Sequence, residues 1–223
     1  MPADKSWIDV DQYINDQVTA EDAALASAMQ AAATAGLPPI SVTAPQGKLL
    51  HLLARSINAR RVLEIGTLAG YSTIWLARAV GEGGRVVTIE FDETHARIAR
   101  TNFARAGLDA RIDLRVGRAQ DVLPRLEHER AGPFDFIFID ADKPSTTEYF
   151  EWSLELSRPG SLIFVDNVVR NGGLADGSSR DPDVLGMRRF LERLGKEPRV
   201  VATAIQTVGG KSYDGFALAL VIG

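Results

Sequence analysis

The sequence contains no cysteine, which excludes disulfide bonds, thiolate nucleophiles and cysteine-ligated zinc. Histidine is also scarce: His51, His95 and His128 show no metal-ligand spacing, which argues against a zinc site. No apolar run approaches the roughly 20 residues that a membrane helix needs.

A basic excess is missing too. The chain has 25 Lys and Arg against 29 Asp and Glu, a net charge of -4, which argues against a nucleic-acid partner. The opening MPADKSWIDVDQYIND lacks the apolar stretch of a secretory signal, so we expect a cytoplasmic protein with no membrane partner. With 223 residues, of which 45% are hydrophobic, one core is expected.

The pattern along the chain predicts an α/β fold. From Arg61 onward, short apolar or β-branched runs alternate with helical stretches, which indicates a doubly wound, mostly parallel sheet. The last two runs, RVVATAI and GFALALVI, have no helix between them. They predict an antiparallel hairpin at one edge, with residues 206–214 separating its strands.

Three helices are predicted before the sheet, at residues 8–15, 20–35 and 45–57. The second is rich in alanine and ends at Gly36, and the third begins at Pro45, a favoured first-turn residue. We expect a single domain over residues 1–223, in which residues 1–57 pack on or cap the α/β core of residues 58–223.

The turn after the first strand, EIGTLAGYS, predicts a cofactor site. A dinucleotide fingerprint would need glycine at positions 68 and 71, where Leu68 and Tyr71 stand, so a pyrophosphate is disfavoured. Glu90 ends the second strand, where an acidic residue usually accepts ribose hydroxyls. An adenosine-containing ligand without a pyrophosphate fits both features, and S-adenosylmethionine is the obvious one. The alternative is a tight βα turn with a solvated Glu90.

Two further strand ends predict a metal site. FIDADKP places Asp140 just past the fourth strand, and FVDNV places Asp166 and Asn167 just past the fifth. If these strands are neighbours, three oxygen ligands converge, a set that suits Mg²⁺. The alternatives are that Asp142 only caps a helix and that Asp166–Asn167 is an ordinary turn.

VLEIGTLAGYST, FDFIFIDADK and the DN of FVDNV resemble the cation-dependent O-methyltransferases, which include the catechol and caffeoyl-CoA enzymes. The resemblance runs from about Ile40 to the C-terminus. It implies a seven-stranded sheet with a reversed last strand, a Rossmann-like methyltransferase fold, and a homodimer. The implied reaction transfers a methyl group from S-adenosylmethionine to a small aromatic hydroxyl, with Mg²⁺ or another divalent cation.

The resemblance also assigns roles to residues. It implies that Asp140, Asp166 and Asn167 hold the cation and that Lys143 accepts the proton. Asn171 and Asp214 fall where substrate contacts lie in the caffeoyl-CoA branch. The implied contacts with S-adenosylmethionine are Val42, Glu64, Gly66, Ser72, Glu90, Ala119, Asp140, Asp142 and Tyr149.

The sequence departs from the family pattern at three positions. Ser161 replaces a glycine, and Val169 and Arg170 stand where an aromatic residue commonly follows DN. The second change disfavours caffeoyl-CoA, so we expect a small catechol-like acceptor, with residues 171–182 as a mobile rim. Three alternatives stay open: a tRNA hydroxyuridine methyltransferase, a nicotinamide-dependent oxidoreductase, and a non-catalytic S-adenosylmethionine-binding module.

Overall fold

The computed structural model describes residues 4–223. Eight α-helices and seven strands alternate along them. The helices are α1 (Lys5–Ile14), α2 (Ala23–Thr34), α3 (Ala44–Ser56), α4 (Tyr71–Ala79), α5 (Glu93–Arg105), α6 (Ala119–His128), α7 (Thr146–Glu155) and α8 (Pro182–Leu194). The strands are β1 (Arg61–Ile65), β2 (Arg85–Glu90), β3 (Ile112–Val116), β4 (Phe136–Ile139), β5 (Leu162–Asp166), β6 (Val200–Gly209) and β7 (Ser212–Val221).

The strands form one sheet in the order β3-β2-β1-β4-β5-β7-β6. The first five are parallel, and β7 runs antiparallel to both β5 and β6. The predicted doubly wound sheet with an antiparallel last strand is therefore confirmed. The strand order reverses between β1 and β4, so the loops after these strands diverge and leave a crevice for a ligand.

Side chains alternate between the two faces of the sheet, and each face is covered by its own helices. On one face, Val62, Phe136 and Phe164 pack with residues of α2 to α5. On the other face, Leu63 and Ile137 pack with residues of α6 to α8. Because both faces are covered, the central strands are apolar at nearly every position, which explains their continuous hydrophobic runs.

The final hairpin is longer than predicted. β6 continues to Gly209 and β7 begins at Ser212, so only Gly210 and Lys211 connect them. The prediction of a break over residues 206–214 was wrong because β6 is an edge strand. Its residues are exposed or half-buried, so polar residues can extend the pairing without entering the core.

The helices before the sheet lie close to their predicted positions. α2 begins at Ala23 rather than at residue 20 because the Asp22 side chain accepts the amide of Leu25 and caps the helix there. α3 begins after Thr43, which caps it in the same way. α3 packs against α4, and α2 packs against α4 and α5.

Residues 1–3 of the predicted domain lie outside the described residues. Within residues 4–223, no helix is long and apolar enough to span a membrane.

Candidate active site

Two glycines shape the turn that joins β1 to α4. Gly66 has a φ of +102°, and a Cβ there would lie 2.1 Å from the carbonyl oxygen of Asp140. Gly70 has a φ of +82°, and a Cβ there would lie 2.3 Å from the Phe103 ring. A side chain at either position would therefore clash and strain the backbone. The close approach of Gly66 also brings the turn against the end of β4.

Glu64 lies behind this turn. Its carboxylate is fully buried and accepts hydrogen bonds from the hydroxyls of Ser72, Thr73 and Thr88. Burial raises the pKa of Glu64 to about 7, although these hydroxyls act in the opposite direction. The structure thus places Glu64 where it holds Ser72 in position, while Ser72 itself faces the cavity described next.

A cavity of about 670 Å³ opens at the carboxyl ends of the parallel strands. Tyr71 and Leu68 of the β1–α4 turn form part of its wall. Most of the residues implied by the sequence line it together. These are Val42, Gly66, Ser72, Glu90, Ala119, Asp140, Asp142, Lys143, Tyr149 and Asn167.

Glu90 connects two walls of the cavity. Its Oε2 accepts the backbone amides of Leu68 at 2.7 Å and Thr67 at 3.2 Å, and its Oε1 accepts the amide of Asp92 at 2.9 Å. These bonds fix the carboxylate at the end of β2. It still lines the cavity, which is where a ribose acceptor is needed.

The predicted metal ligands Asp140, Asp166 and Asn167 stand at the ends of β4 and β5, which are neighbouring strands, the condition for their convergence. Lys143 donates from Nζ to Oδ1 of Asp140 at 2.8 Å, and the lysine side chain is only 9% exposed. Asp166 ends β5 and is 4% exposed. Burial, and next the charge of Asp140, raise the pKa of Asp166 to about 7, although Lys143 opposes them. Asn167 follows with a φ of +58°, so the chain turns sharply here.

Asp142 has two roles in the structure. One carboxylate oxygen accepts the amide of Ser145 and caps the short helical turn Lys143–Ser145. The other oxygen accepts the hydroxyl of Tyr149. The helix-cap interpretation of Asp142 is therefore correct, and Asp142 also lines the cavity.

Asn171 and Asp214, the two residues that the resemblance assigned to substrate contacts, are hydrogen-bonded within the protein instead. Asp214 accepts the backbone amides of Val169 and Arg170 at 2.9 and 3.0 Å. Asn171 accepts the hydroxyl of Ser212. Within residues 4–223, neither lines the cavity, and residues 171–182 do not line it either. Asp214 thus anchors the chain that follows Asn167 to β7.

Several cavity residues carry no local sequence signal. Arg170 and Asp183 line it and form an ion pair at 2.6 Å. At the β2 end, the Arg118 guanidinium lies 6.0 Å from the centre of the Phe91 ring. The sequence marked Arg170 only as a departure from a family pattern. The others could be found only once the strand ends had been brought together.

Two further side chains act on the acidic cluster. Gln46, in the first turn of α3, lowers the pKa of Asp166. Lys211, in the β6–β7 turn, is exposed as a whole residue. Desolvation of its ammonium group lowers its pKa, while Asp140 and Asp166 raise it. Within residues 4–223, no three Asp, Glu, His or Cys side chains form a cluster that could hold a metal, so the predicted set depends on two carboxylates and an amide.

A model of the family described as O-methyltransferase matches residues 15–221, nearly the whole chain. The chain belongs to the O-methyltransferase family. It is 55% identical over 212 residues to a catechol O-methyltransferase of Niastella koreensis, covering 95% of this chain and 96% of the relative. An O-methyltransferase from Bacillus cereus, solved in complex with SAH, is 54% identical with a TM-score of 0.96, over 97% of this chain and 99% of that one. The O-methyltransferase TomG of Streptomyces achromogenes, solved in complex with SAM, is 51% identical with a TM-score of 0.96 over both complete chains.

Membership of this family confirms the resemblance found in the sequence and the prediction of an O-methyltransferase. Membership of this family argues against the alternative of a nicotinamide-dependent oxidoreductase. The structural likenesses confirm the Rossmann-like methyltransferase fold.

Proposed function

We propose that this O-methyltransferase transfers a methyl group from S-adenosylmethionine to one hydroxyl of a small catechol-like acceptor, with the help of a divalent cation. The observation that carries the proposal is one continuous cavity. It is lined by Glu90 at the end of β2 and by Lys143 and Asn167 beyond β4 and β5. Donor and acceptor can therefore lie in the same space, which the reaction requires.

The β1 and β2 end of the cavity suits the donor. Glu90 offers a fixed carboxylate to ribose hydroxyls, and Gly66 lets a ligand approach the backbone. Asp142 and Ser72 supply polar groups for the aminoacyl part. The solved relatives that hold SAH and SAM, at 54% and 51% identity, support the same assignment.

The acidic cluster fits a divalent cation. Asp140 and the buried Asp166 repel each other, and the only cation hydrogen-bonded to this pair within residues 4–223 is Lys143. A divalent cation held by Asp140, Asp166 and Asn167 would offset this repulsion, and three oxygen donors leave room for substrate oxygens. When bound, it would supply Lewis-acid polarisation of an acceptor hydroxyl.

Lys143 is the proton acceptor in this proposal, a role in which its side chain acts as the neutral amine after its ammonium proton has passed to solvent. A phenol has a pKa of about 10, so its proton must be removed for attack near neutral pH. The Nζ of Lys143 is hydrogen-bonded to Asp140 and faces the cavity, within reach of an acceptor hydroxyl beside that carboxylate. The oxygen then forms a bond to the methyl carbon as the carbon–sulfur bond of the donor breaks.

The test compares Lys143→Met with wild type, using labelled donor and catechol as the acceptor. Methionine keeps most of the buried volume, and Lys196→Met, at an exposed position outside the cavity, is the matched control. We expect Lys143→Met to lose about 10²–10⁴-fold in rate and to recover part of it at high pH. Donor binding, measured by calorimetry, should stay within about 3-fold of wild type, a change of less than 1 kcal/mol.

Chelation tests the cation separately. EDTA should abolish methylation of catechol, and added Mg²⁺ should restore it. Full activity in EDTA contradicts the metal, and a Lys143→Met enzyme as fast as wild type contradicts the base. Transfer to tRNA bearing a hydroxylated uridine, with none to any diphenol, would replace the acceptor class with the alternative left open by the sequence.

We also propose that the protein is a homodimer joined at the β6 edge. Val201, Ile205 and Val208 are 61%, 47% and 54% exposed on this strand, and Leu220 of β7 is 41% exposed beside it. Apolar side chains on an edge strand favour association with another copy. Sedimentation analysis should give a dimer for wild type and a monomer for Ile205→Glu; a monomeric wild type contradicts this proposal.

A further inference from the structure

Arg170 lies at the end of the cavity that is farthest from the donor. In the sheet order, β5 is three strands away from β2, which carries Glu90. Neighbouring strands are about 4.8 Å apart, so this separation is roughly 14 Å. Arg170 follows β5 and lines the cavity together with Asn167 and Lys143. It therefore borders the acceptor rather than the nucleoside.

The backbone at Arg170 is held in an uncommon conformation. Its φ is +54°, and Asn171 and Gly172 follow with φ values of +55° and +83°. The amide of Arg170 donates to Asp214, and the amide of Asn171 donates to the carbonyl of Tyr213. A non-glycine residue at positive φ is uncommon, and such residues cluster at active sites and ligand contacts.

The guanidinium of Arg170 is only partly used. It donates one hydrogen bond, from Nη2 to Oδ2 of Asp183 at 2.6 Å, and no other to residues 4–223. An arginine side chain has five N–H donors, so four are left for a ligand. The side chain is 28% exposed, so it is accessible from the cavity yet partly shielded from water.

We propose that Arg170 makes the enzyme select diphenols that carry a carboxylate on the aromatic ring. This inference rests on the proposed methyl transfer in the same cavity. With its hydroxyls beside Asp140 and Lys143, such an acceptor directs its carboxylate toward Arg170. A guanidinium binds a carboxylate through two parallel hydrogen bonds, a geometry that an uncharged substituent cannot use.

An ammonium substituent is the competing ligand, because Asp183 is also at this end of the cavity. Asp183 already accepts the Arg170 bond, and an incoming cation would meet the guanidinium beside it. Arg170 has more unused hydrogen-bonding groups than Asp183, so the pair favours an anion. Asp183 then acts as a positioning residue that orients the guanidinium.

The test measures a ratio of specificities, kcat/KM for a ring-carboxylated catechol divided by kcat/KM for catechol. Any general damage to the enzyme cancels in this ratio. We expect it to fall by about 10- to 100-fold in Arg170→Gln, the range for a charge-assisted hydrogen bond. Arg170→Lys keeps the positive charge, so its KM for the carboxylated catechol should lie between the values for wild type and for Arg170→Gln. Arg180→Gln, an exposed arginine in the same loop that does not line the cavity, is the matched control.

Two outcomes overturn the proposal: an unchanged ratio in Arg170→Gln, or a wild-type preference for an aminoethyl catechol that is lost in Asp183→Asn. Calorimetric binding of the same two diphenols gives the ratio without turnover. If no diphenol is methylated, the proposed function fails, yet the binding ratio still decides the role of Arg170.

Discussion

The pKa values of four buried carboxyl groups are shifted in opposite directions at the two ends of the sheet. At the amino ends of the strands, Asp135 precedes β4 and accepts the amides of Arg60 and Arg61 at 2.8 and 2.9 Å. Burial alone would raise its pKa, but these amides and the Arg158 guanidinium lower it below the usual value. Beside β6, hydrogen bonds from Arg199 and Arg193 lower the pKa of Glu197 to about 2, although burial opposes them.

At the carboxyl ends of the strands, burial outweighs the hydrogen bonds and charges that would lower the pKa. Glu64 has only hydroxyl partners, and Asp166 lies near another carboxylate, so the pKa of each rises to about 7. The carboxylates at the amino ends are fully paired and stabilise the fold. Glu64 and Asp166, at the carboxyl ends, lack a full complement of positive charge, and raised carboxyl pKa values of this kind are common at functional sites. The difference indicates that the buried charges of Glu64 and Asp166 cost stability, whereas those of Asp135 and Glu197 add to it.

The largest effect is expected for Asp166→Asn, which tests whether the carboxylates at the carboxyl ends serve catalysis rather than stability. Losing a proposed metal ligand should lower the rate by more than about 100-fold, beyond the range for outer-shell partners. In metal-free buffer at pH 8, the same variant should melt at or above the wild-type temperature, because a repelled buried charge is gone. Rates with excess Mg²⁺ and thermal melts in EDTA measure the two effects. A variant that is both active and less stable contradicts the assignment.

The next prediction concerns pH and Glu64. Its pKa is raised from 4.5 to about 7 on folding, so its contribution to stability is full below pH 4.5 and is lost as the pH rises through 7. The loss is about 3 kcal/mol. Glu64→Gln has no charge to bury, so its stability relative to wild type should improve from pH 5 to about 7 and then level off. Urea unfolding across that range checks the slope, and a constant difference would show that Glu64 does not titrate there.

The smallest effect is expected at the other end of the sheet. Asp135→Asn keeps one acceptor oxygen but loses the charge that binds two amides and Arg158, at a cost of about 1–2 kcal/mol. Below the melting temperature, its kcat should stay within about 2-fold of wild type, a change of less than 1 kcal/mol. Arg158→Gln, at an arginine whose side chain is 56% exposed, should cost less. If Asp135→Asn lowered kcat strongly without lowering stability, the proposed difference in role between the carboxylates at the two ends of the sheet would be wrong.

Much of the fold could be predicted because its signals are local. Apolar runs alternating with helical stretches indicate a parallel sheet with both faces covered, and strand ends mark the crevice. Glu90, Asp140, Asp166 and Asn167 were predicted as site residues in this way. The length of the β6–β7 hairpin was not, because an edge strand needs no apolar pattern. The hydrogen bonds of Asp214 to the amides of Val169 and Arg170 were not predicted either, because they depend on β7 pairing next to β5.

The order of residues along the chain was enough to specify the fold class, the methyltransferase family and the residues of the acidic cluster. Each of these depends on short sequence patterns, such as DADK and DN, that can be recognised one at a time. Which carboxylates are paired, and which are left short of positive charge, was decided by the tertiary structure. Asp135 meets Arg60 across 75 positions, Glu64 meets Thr88 across 24, and Arg170 meets Asp183 across 13. Charge and burial depend on distance in space, so only the packed sheet separates the carboxylates whose pKa is lowered from those whose pKa is raised.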